Sequence, residues 1–469
     1  MFRKARQIHF VGIGGSGMSG IAEVLVNLRY HVSGSDLQSG DATRRLKRLG
    51  ARIFRGHKAD HVTDADVVVV SSAVKAGNPE VVEARRRKIP VIPRAEMLAE
   101  IMRLKYGVAV AGAHGKTSTT AMIAAVLTAG GLDPTVVIGG RVKALRSGAK
   151  LGGGEFMVAE ADESDGSFLK MKPTIAVVTN IDREHLDHYG DLARIRDAFV
   201  QFLTSVPFYG AAVVCLDEPN VRAILPRVDR KIVTYGLSRD ADLIATGLAF
   251  EGFTASYVAR YRGIQLGPVK LGVPGRHSVY NSLAAVATGL ELDVPFGKIA
   301  KALAKFQAVD RRFHHRGDAF GATVVDDYGH HPTEIAATLA AAREGFGART
   351  IVVFQPHRYT RTQALLEEFG RAFALADRVI VTSIYGAGEA PIAGADGSAV
   401  ADALVRHGHP SVAFEPRLDR IAGRLKGLVA PGDLVITLGA GDVWKAGDAL
   451  IELALKSGTK KPPARRKAR

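Results

Sequence analysis

Short apolar runs that end in a glycine or polar residue, each followed by a helical pattern, recur along most of this 469-residue chain. They occur at residues 8–11, 67–70, 108–111, 175–179, 324–325, 351–354, 379–382 and 434–438. Alternation of strands and helices favours parallel sheets with ligand sites at the carboxyl ends of the strands. The stretch 231–272 departs from this pattern, because it has the alternation and glycine turns of successive hairpins. We therefore predict an α/β fold with one antiparallel β insertion.

Two breaks in the alternation indicate domain boundaries. Five strand–helix units are complete by Arg103, a new strand begins at Val108, and a third block begins near Arg311. The chain is also too long for one ordinary domain. We predict a Rossmann-like domain at 1–104, a P-loop-type domain with the antiparallel insertion at 105–310, and a second Rossmann-like domain at 311–456. A tail at 457–469 follows.

Composition limits the class of protein. Hydrophobic residues make up 47% and charged residues 23% of the chain, as in globular proteins. There is one cysteine, Cys215, which suits a reducing compartment. The opening MFRKARQIHF lacks the apolar segment of a signal peptide, and no apolar run reaches the length of a membrane span. We therefore expect a cytoplasmic protein without membrane insertion.

The net charge of +16 is partly local. The tail contains no acidic residue and carries Lys460, Lys461, Arg465, Arg466, Lys467 and Arg469. Such a Pro/Lys/Arg segment is expected to be disordered. A solvated tail explains it better than a nucleic-acid contact, so no nucleic-acid partner is expected.

The first glycine-rich turn reads HFVGIGGSGMSG at residues 9–20. Gly12, Gly14 and Gly17 fit the G-x-G-x-x-G spacing of a dinucleotide-binding turn, and Asp36 follows about where an acidic residue would bind a ribose hydroxyl. Taken alone, the motif indicates a nicotinamide-dependent oxidoreductase. What it requires is only a close approach of backbone to a diphosphate.

The second glycine-rich turn, VAVAGAHGKTSTT at residues 108–120, is the more specific one. Gly112 and Gly115 let backbone N–H groups approach phosphates, Lys116 supplies a cation, and the Thr117 hydroxyl can bind Mg²⁺. The turn is not the strict eight-residue form, because Val110 stands where the first glycine would be. A preceding strand and a following helix nevertheless predict a nucleoside triphosphate site.

Two strand ends in the central block are rich in possible Mg²⁺ ligands. The stretch VAEADESDGSF supplies Glu160, Asp162, Glu163 and Asp165. The stretch TNIDREHLDHYG supplies Asn180, Asp182, Glu184, His185 and Asp187. Because Mg²⁺ prefers oxygen ligands, His185 would be unusual among them.

The third block concentrates histidine and arginine in RRFHHRG, VVDDYGHHPTEI and VVFQPHRYTRT. A structural zinc site is disfavoured, because the adjacent His330 and His331 would project apart. A mixed acidic and basic rim could instead clamp a carboxylate and an incoming amine. Four other histidines lack such neighbours in the sequence and are interpreted as structural: His9, His31, His57 and His61.

In chain order, the motifs HFVGIGGSGMSGIAEVL, GAHGKTSTT, AEADESDGSF, TNIDREHLDHYG, GRHSVYNSLAA, RRF, DDYGHHPTE, FQPHRYTRT, YGAGEAPI and LGAGD resemble the Mur ligases of bacterial cell-wall synthesis. The resemblance covers about residues 8–445. It implies three domains and an ATP-dependent amide ligase. The member it resembles most implies UDP-N-acetylmuramic acid and L-alanine as substrates, an acyl phosphate intermediate, and ATP with Mg²⁺.

The resemblance also implies residue roles. ATP would be bound by Gly112, Ala113, His114, Gly115, Lys116, Thr117, Ser118, Asn281 and Arg312, of which Lys116 and Arg312 also act in catalysis. Mg²⁺ would be bound by Thr117, Glu160 and His185. The amino acid and the sugar's carboxylate would be positioned by Tyr328, His330, Arg358 and Arg361. The UDP moiety would be bound by Gly14, Gly15, Ser16, Gly17, Met18, Ser19, Asp36, Ser71 and Ser72.

The chain departs from the family pattern at three places. The adenine-binding stretch has Ser278 where an asparagine is usual, so only Asn281 is carried over there. Glu184 replaces the usual aspartate before His185. No lysine occurs between His185 and Lys231, where sibling ligases that add later amino acids carry a carbamylated one.

Three alternatives stay open at the level of sequence. One is a family ligase that attaches a preformed peptide, as in wall recycling, and another is a nicotinamide-dependent oxidoreductase. The third is a nucleic-acid-linked ATPase that uses the basic tail. The oligomeric state is also open.

Overall fold

The computed structural model describes residues 6–71, 73–142 and 147–458. The described chain divides into two compact units. The first unit extends to Val309 but leaves out two short segments, Ala249–Ser256 and Leu271–Ser278. The second unit consists of these two segments and the chain from Asp310. The structure contains a five-stranded, a ten-stranded and a six-stranded sheet, each within one of the three predicted domains. The predicted α/β class is confirmed, while the exact domain boundaries stay a prediction.

The first sheet has the strand order β3-β2-β1-β4-β5 and is parallel throughout. Its elements are β1 (Gln7–Val11), α1 (Ser16–Asn27), β2 (His31–Asp36), α2 (Asp41–Arg48), β3 (Arg52–Arg55), β4 (Val67–Val70), α3 (Pro79–Arg86), β5 (Val91–Pro93) and α4 (Arg94–Met102). The chain reverses its direction of winding between β1 and β4. The first glycine-rich turn follows β1 and therefore lies at this switch point, where α/β sheets bind ligands.

The second sheet has the order β15-β14-β13-β12-β11-β10-β6-β9-β7-β8. Its strands are β6 (Tyr106–Ala111), β7 (Thr135–Val142), β8 (Ser147–Lys150), β9 (Phe156–Glu160), β10 (Ile175–Val178), β11 (Ala211–Cys215), β12 (Ile232–Gly236), β13 (Leu243–Glu251), β14 (Thr254–Tyr261) and β15 (Ile264–Leu271). Its helices are α5 (Lys116–Gly130), α6 (Leu186–Tyr189), α7 (Leu192–Thr204), α8 (Pro219–Ile224), α9 (Arg276–Glu291) and α10 (Phe296–Lys305). The inner strands are buried and almost wholly apolar, as parallel strands covered on both faces must be.

The antiparallel insertion is present but begins later than predicted. Two-residue connections join β13 to β14 and β14 to β15, and such short connections permit only antiparallel neighbours. β12, however, pairs in parallel with β11, and its end pairs in parallel with the start of β13. The predicted hairpin stretch from residue 231 is therefore wrong for β12, whose alternating pattern belongs to an outer parallel strand.

The third sheet has the order β16-β17-β21-β18-β19-β20, and only the β16–β17 pair is antiparallel. Its strands are β16 (His314–Ala319), β17 (Ala322–Asp327), β18 (Thr350–Phe354), β19 (Arg378–Val381), β20 (Val412–Phe414) and β21 (Leu434–Leu438). Its helices are α11 (Pro332–Phe346), α12 (Tyr359–Ala364), α13 (Leu366–Ala372), α14 (Gly397–Arg406), α15 (Leu418–Lys426) and α16 (Trp444–Lys456). Two apolar clusters cover its two faces, one around Phe354 and Phe369 and the other around Ile380 and Leu450.

Three of the histidines that lack such neighbours in the sequence, His9, His57 and His61, lie around one buried carboxylate in the structure. Glu80, on α3, is fully buried. Its carboxylate accepts hydrogen bonds from Ser35 Oγ at 2.6 Å, His61 Nδ1 at 2.6 Å and His57 Nδ1 at 3.1 Å. His9 Nε2 lies 3.6 Å from it. Burial alone would raise the pKa of Glu80, but the hydrogen bonds from its serine and histidine neighbours outweigh burial and lower it to about 2.

Within the described residues, no helix combines the length and the apolar composition that a membrane crossing needs.

Candidate functional site

The predicted triphosphate turn and both acidic stretches follow three neighbouring strands. β6 pairs in parallel with β9 on one side and with β10 on the other. The turn at 112–115 follows β6, the acidic stretch begins at Glu160, the last residue of β9, and the stretch from Thr179 follows β10. The carboxyl ends of parallel strands meet at one edge, so the strand order brings these segments together.

The turn requires glycine at two positions. Gly112 and Gly115 have φ of +135° and +82°, in the region that favours glycine. A Cβ at Gly112 would overlap Thr179 Oγ1, and one at Gly115 would lie 2.7 Å from Asn281 Oδ1. Ala113 and Ser118, in the turn and the first turn of α5, are half-buried. Thr179 and Asn281 therefore pack tightly against the two glycines of the turn.

Lys116 begins α5, and its ammonium group is held in place. Nζ donates to Gly112 O at 2.6 Å, to Ala113 O at 3.2 Å and to Glu163 Oε1 at 2.7 Å. Burial alone would lower the pKa of Lys116, but the negative charges of Glu163 and Glu160 outweigh it and raise that pKa. Lys116 therefore remains a cation throughout the physiological pH range.

Side chains suited to Mg²⁺ lie on either side of this lysine. Thr117 Oγ1 donates to Glu160 Oε2 at 3.1 Å. His185 Nε2 lies 3.6 Å from Glu163 Oε1 and 3.5 Å from Glu184 Oε2. One ligand atom from each of Glu163, Glu184 and His185 lies within 4.8 Å of the others. The donor set is mostly oxygen and carries negative charge, which fits Mg²⁺.

His185 and Glu163 also interact electrostatically. Burial alone would lower the pKa of His185, but the bond to Glu163 and the charge of Glu184 raise it. Burial alone would raise the pKa of Glu163, but Lys116 and His185 lower it. Glu163 Oε2 is buried and has no hydrogen-bond partner among the described residues. A bound cation would satisfy this atom.

The stretch after β10 holds the turn in place, a role that was not predicted from the sequence. Asn180 Oδ1 accepts from His114 N at 2.8 Å, and Asn180 Nδ2 and Thr179 Oγ1 donate to His114 O at 2.9 and 2.7 Å. Asp182 Oδ2 lies 3.0 Å from His114 Nε2. The signal for this role is weak in sequence, because it depends on β10 being the neighbour of β6.

The two positions in the stretch predicted to bind adenine differ in their contacts. Asn281 is buried, and its Oδ1 accepts from Thr119 Oγ1 at 3.1 Å in α5. Ser278, which stands where the family usually has asparagine, is buried and donates to Pro274 O at 2.7 Å. The serine therefore stabilises the start of α9.

The first glycine-rich turn is shaped by β2. Gly12 N and Ile13 N donate to Ser35 O at 2.9 and 3.0 Å, and Gly14 N donates to Asp36 Oδ2 at 2.8 Å. Asp36 therefore binds the backbone of the turn, whereas the sequence pattern predicted a contact with a ribose hydroxyl.

The other residues predicted for the UDP moiety lie around this turn. Gly15 is exposed, Gly17 and Ser19 are half-buried, and Met18 is buried in the core. Ser71 Oγ would lie 3.7 Å from a Cβ at Gly12. Ser72 and the side chain of Ser16 lie outside the described part of the chain, as does the tail from residue 459.

In the second unit, Arg312, Tyr328 and His330 are neighbours. The Arg312 guanidinium lies 5.2 Å from the centre of the Tyr328 ring, and its Nη1 donates to Glu334 Oε1 at 3.4 Å. His330 Nδ1 donates to Tyr328 O at 3.0 Å. Burial is the main cause that lowers the pKa of His330, to about 3. His330 is therefore neutral at neutral pH.

Arg358 and Arg361 lie at the start of α12, the helix that follows β18 in the same unit. Arg358 Nε donates to Glu389 Oε1. Arg361 Nη1 lies 3.4 Å from His357 Nδ1, and the His357 ring lies 5.6 Å from that of His330. Burial and the two arginines lower the pKa of His357 to about 4. This cluster combines cations with neutral imidazoles, which suits an anionic carboxylate.

The adjacent Arg311 has a structural role. Its guanidinium donates to Asp326 Oδ2 at 2.9 Å and to the carbonyl oxygens of Gly439, Ala440 and Gly441. Of the two arginines in RRF, the first therefore fixes the LGAGD loop. Both guanidinium groups lie near the Tyr328 ring, at 5.1 Å (Arg311) and 5.2 Å (Arg312) from its centre.

Family models match most of the chain. "Mur ligase family, catalytic domain" matches residues 7–106, "Mur ligase middle domain" matches residues 110–289, and "Mur ligase, glutamate ligase domain" matches residues 311–441. Among curated relatives, the UDP-N-acetylmuramate–L-alanine ligase of Pelobacter propionicus is 57% identical over 97% of this chain and 100% of its own. The enzyme of that name from Myxococcus xanthus is 57% identical over 96% of both chains.

Solved structures agree with the fold. The UDP-N-acetylmuramate-alanine ligase of Thermotoga maritima superposes with a TM-score of 0.81 at 31% identity, over 96% of this chain and 99% of its own. A murein peptide ligase of Psychrobacter arcticus gives a TM-score of 0.68 at 22% identity, over 95% and 98%. This second likeness shows the fold alone. On the family models and these relatives, the chain belongs to the Mur ligase family.

Proposed function

We propose that this chain is an ATP-dependent ligase that joins L-alanine to the lactyl carboxylate of UDP-N-acetylmuramic acid, a step in the synthesis of the peptidoglycan precursor. The observation that carries the proposal is Lys116 held by Glu163 at the edge where β9, β6 and β10 end. Relatives with this activity in their names span nearly the whole chain at 57% identity, which supports the choice of substrates.

The chemistry explains why a triphosphate site is needed. A carboxylate is a poor acyl donor at neutral pH. Transfer of the terminal phosphoryl group of ATP to a carboxylate oxygen gives an acyl phosphate and ADP. The amine of L-alanine then attacks the carbonyl carbon, an amide bond forms, and inorganic phosphate leaves with the electrons of the broken C–O bond. Lys116 stabilises the negative charge on the transferred group.

We assign the Mg²⁺ ligands to Thr117, Glu160 and His185, with Glu163 and Glu184 close enough to His185 to take part. When bound, Mg²⁺ neutralises charge on the phosphates. Gly112, Ala113, His114, Gly115 and Ser118 form the phosphate turn, and Asn281 contacts the adenine. These roles fit the contacts above, where the turn is packed against Asn281 and braced by Asn180.

We assign Arg312 to the ATP phosphates, and Tyr328, His330, Arg358 and Arg361 to the amino acid and the sugar's carboxylate. The ammonium group of L-alanine must lose a proton before it attacks. A neutral His330 can accept a hydrogen bond from that group, because burial holds its pKa at about 3. The arginines supply the charge that an anionic carboxylate needs.

We assign the diphosphate of the sugar nucleotide to the backbone of residues 14–19, and its nucleoside side to Asp36, Ser71 and Ser72. Asp36 contributes first by holding Gly14 N. A nicotinamide-dependent oxidoreductase finds no support, because one Mur ligase family model matches the segment of the first glycine-rich turn and a second matches that of the other. The protein acts in the cytoplasm and needs no nucleic acid.

The test is release of ADP by the full chain, with UDP-N-acetylmuramate and a panel of L-alanine, glycine, L-serine and a wall tripeptide. We expect release to require both the sugar nucleotide and an amino acid, with L-alanine used best. Equal or better use of the tripeptide would favour the peptide-attaching ligase. ADP release that is stimulated by DNA and independent of the sugar nucleotide would overturn the assignment.

A further inference from the structure

Arg94 lies where the first glycine-rich turn approaches the acidic stretch of the ATP site. It is the first residue of α4, and its Nη2 donates to Asp162 Oδ2 at 2.8 Å. Its Nη1 lies against Gly17 in the first turn of α1, where a Cβ would overlap it. One guanidinium therefore touches both the turn assigned to the diphosphate and the segment that follows β9.

The charge around the start of α1 indicates an anionic ligand. The first turn of a helix carries unpaired N–H groups and the positive end of the helix dipole. No acidic residue lies in the first turn of α1, and its N-cap, Gly15, offers no side-chain acceptor. A guanidinium beside such an end adds to the positive potential there, so an anion is favoured at this place. A diphosphate group would satisfy both the helix end and the guanidinium.

Asp162 connects Arg94 to the residues around Lys116. It lies between Glu160, which binds Thr117, and Glu163, which binds Lys116. Asp162 Oδ1 also accepts from Ser164 N at 3.1 Å, so its position is tied to the backbone of this segment. Any change in the Arg94–Asp162 contact therefore acts on the segment that positions Lys116.

We propose that Arg94 binds the diphosphate of the sugar nucleotide and, through Asp162, couples occupancy of that site to the ATP site. The proposal rests on the ligase function above. It makes Arg94 a substrate-binding residue and Asp162 a positioning residue. Bound diphosphate and Asp162 share the guanidinium, so the two sites influence each other's affinity reciprocally.

A second ion pair across the same boundary provides a matched control. Glu96 lies two residues after Arg94 in α4 and binds Lys170, which lies further along the segment that follows β9. Glu96 is an anion, so it cannot bind a diphosphate directly. Lys170→Gln breaks this pair but leaves Arg94 and Asp162 in place. A loss common to both pairs would report on packing between α4 and the segment, not on ligand binding.

The experiment uses calorimetry on the full chain and on Arg94→Gln, Arg94→Lys, Asp162→Asn and Lys170→Gln. We expect Arg94→Gln to weaken binding of UDP-N-acetylmuramate by about 10-fold or more, since charge-assisted hydrogen bonds are lost. Arg94→Lys should lose less, because it keeps the charge but not the planar fork. Lys170→Gln should bind as the wild type does. Should Arg94→Gln fail to fold, Arg94→Lys carries the test.

Two further measurements separate the parts of the proposal. UDP should lose more affinity than UMP in Arg94→Gln, whereas equal losses would mean that Arg94 does not bind the second phosphate. In the wild type, the affinity for a non-hydrolysable ATP analogue should differ between the free protein and the protein saturated with UDP-N-acetylmuramate. In Asp162→Asn, the two affinities should be the same. If the wild type shows no such dependence, the coupling is refuted.

The inference and the ligase function fail in different ways. If the wild type releases no ADP from UDP-N-acetylmuramate and L-alanine, the function fails. If the wild type is active and Arg94→Gln behaves as Lys170→Gln does, only the role of Arg94 is overturned.

Discussion

Replacing Glu80 by glutamine should destabilise the first sheet more at neutral pH than at acid pH. In the folded protein, burial disfavours the charged carboxylate of Glu80, but its interactions with His9, Ser35 and His61 stabilise it by more. Its pKa is about 2, against 4.5 when unperturbed. Because the folded pKa is the lower one, the stabilisation is complete above about pH 4.5 and is lost as pH falls towards 2.

The size of the effect follows from the pKa difference. At about 1.4 kcal/mol per pH unit, the difference corresponds to roughly 3 kcal/mol at neutral pH. Glu80 is fully buried, so solvent does not screen its contacts. Through this group alone, the wild type should lose about 1.4 kcal/mol between neutral pH and about pH 3.5. Glu80→Gln should lose none of that part, so the two free energies of unfolding should converge on acidification.

Native-state hydrogen exchange is the suitable measurement. Tryptophan fluorescence would not report on the first sheet, because Trp444, the only tryptophan, lies in the second unit. Peptides from β1, β2 and α3 should exchange faster in Glu80→Gln, and the difference should shrink towards acid pH. Glu83→Gln is the control. Glu83 lies on the same helix, and hydrogen bonds from Arg86 and Arg87 lower its pKa to about 2, but those arginines lie in solvent. It should have little effect, because solvent screens such pairs. A pH-independent difference for Glu80→Gln, or an equal effect of Glu83→Gln, would refute the reasoning.

Three further outcomes are expected. Lys116→Ala should abolish ADP release while calorimetry still detects binding of UDP-N-acetylmuramate, and loss of both together would contradict the assignment of the two turns to different ligands. Gly115→Ala should weaken binding of an ATP analogue and lower the melting temperature, because its φ is +82° and its Cβ would press on Asn281; unchanged binding would show that the turn adapts. Deletion of residues 459–469 should leave ADP release unchanged with or without DNA, and a DNA-stimulated activity lost with the tail would revive the nucleic-acid alternative.

The sequence alone could predict which segments approach the phosphates, because strand–helix alternation places the ends of parallel strands at one edge. The turns that contain Gly14 and Gly115 and the stretches that begin at Glu160 and Asn180 were identified in this way. The strand order was not predictable, and it decides which segments touch. Asn180 braces His114 only because β10 neighbours β6.

Side-chain partners were harder to predict, since they depend on distances of a few ångströms between segments far apart in sequence. Among four nearby carboxylates, nothing in the spacing singled out Glu163 as the partner of Lys116. Asp36 matched a ribose-binding pattern, yet it binds Gly14 N. The three histidines around Glu80 looked isolated because their common partner is distant along the chain.

The two glycine-rich turns differ in the charged side chains beside them. This difference matches the roles proposed for their ligands, of which one transfers a phosphoryl group and the other is only bound. The turn before α5 carries its own lysine, whose partner Glu163 raises its pKa and keeps it a cation. A transferred phosphoryl group needs such a cation close to the bond that breaks, because charge redistributes there. The turn before α1 has no lysine, and its added charge comes from Arg94 on another helix. A diphosphate that is bound but not transferred needs only fixed donors, so an arginine shared with Asp162 is sufficient and can in addition report that the site is filled.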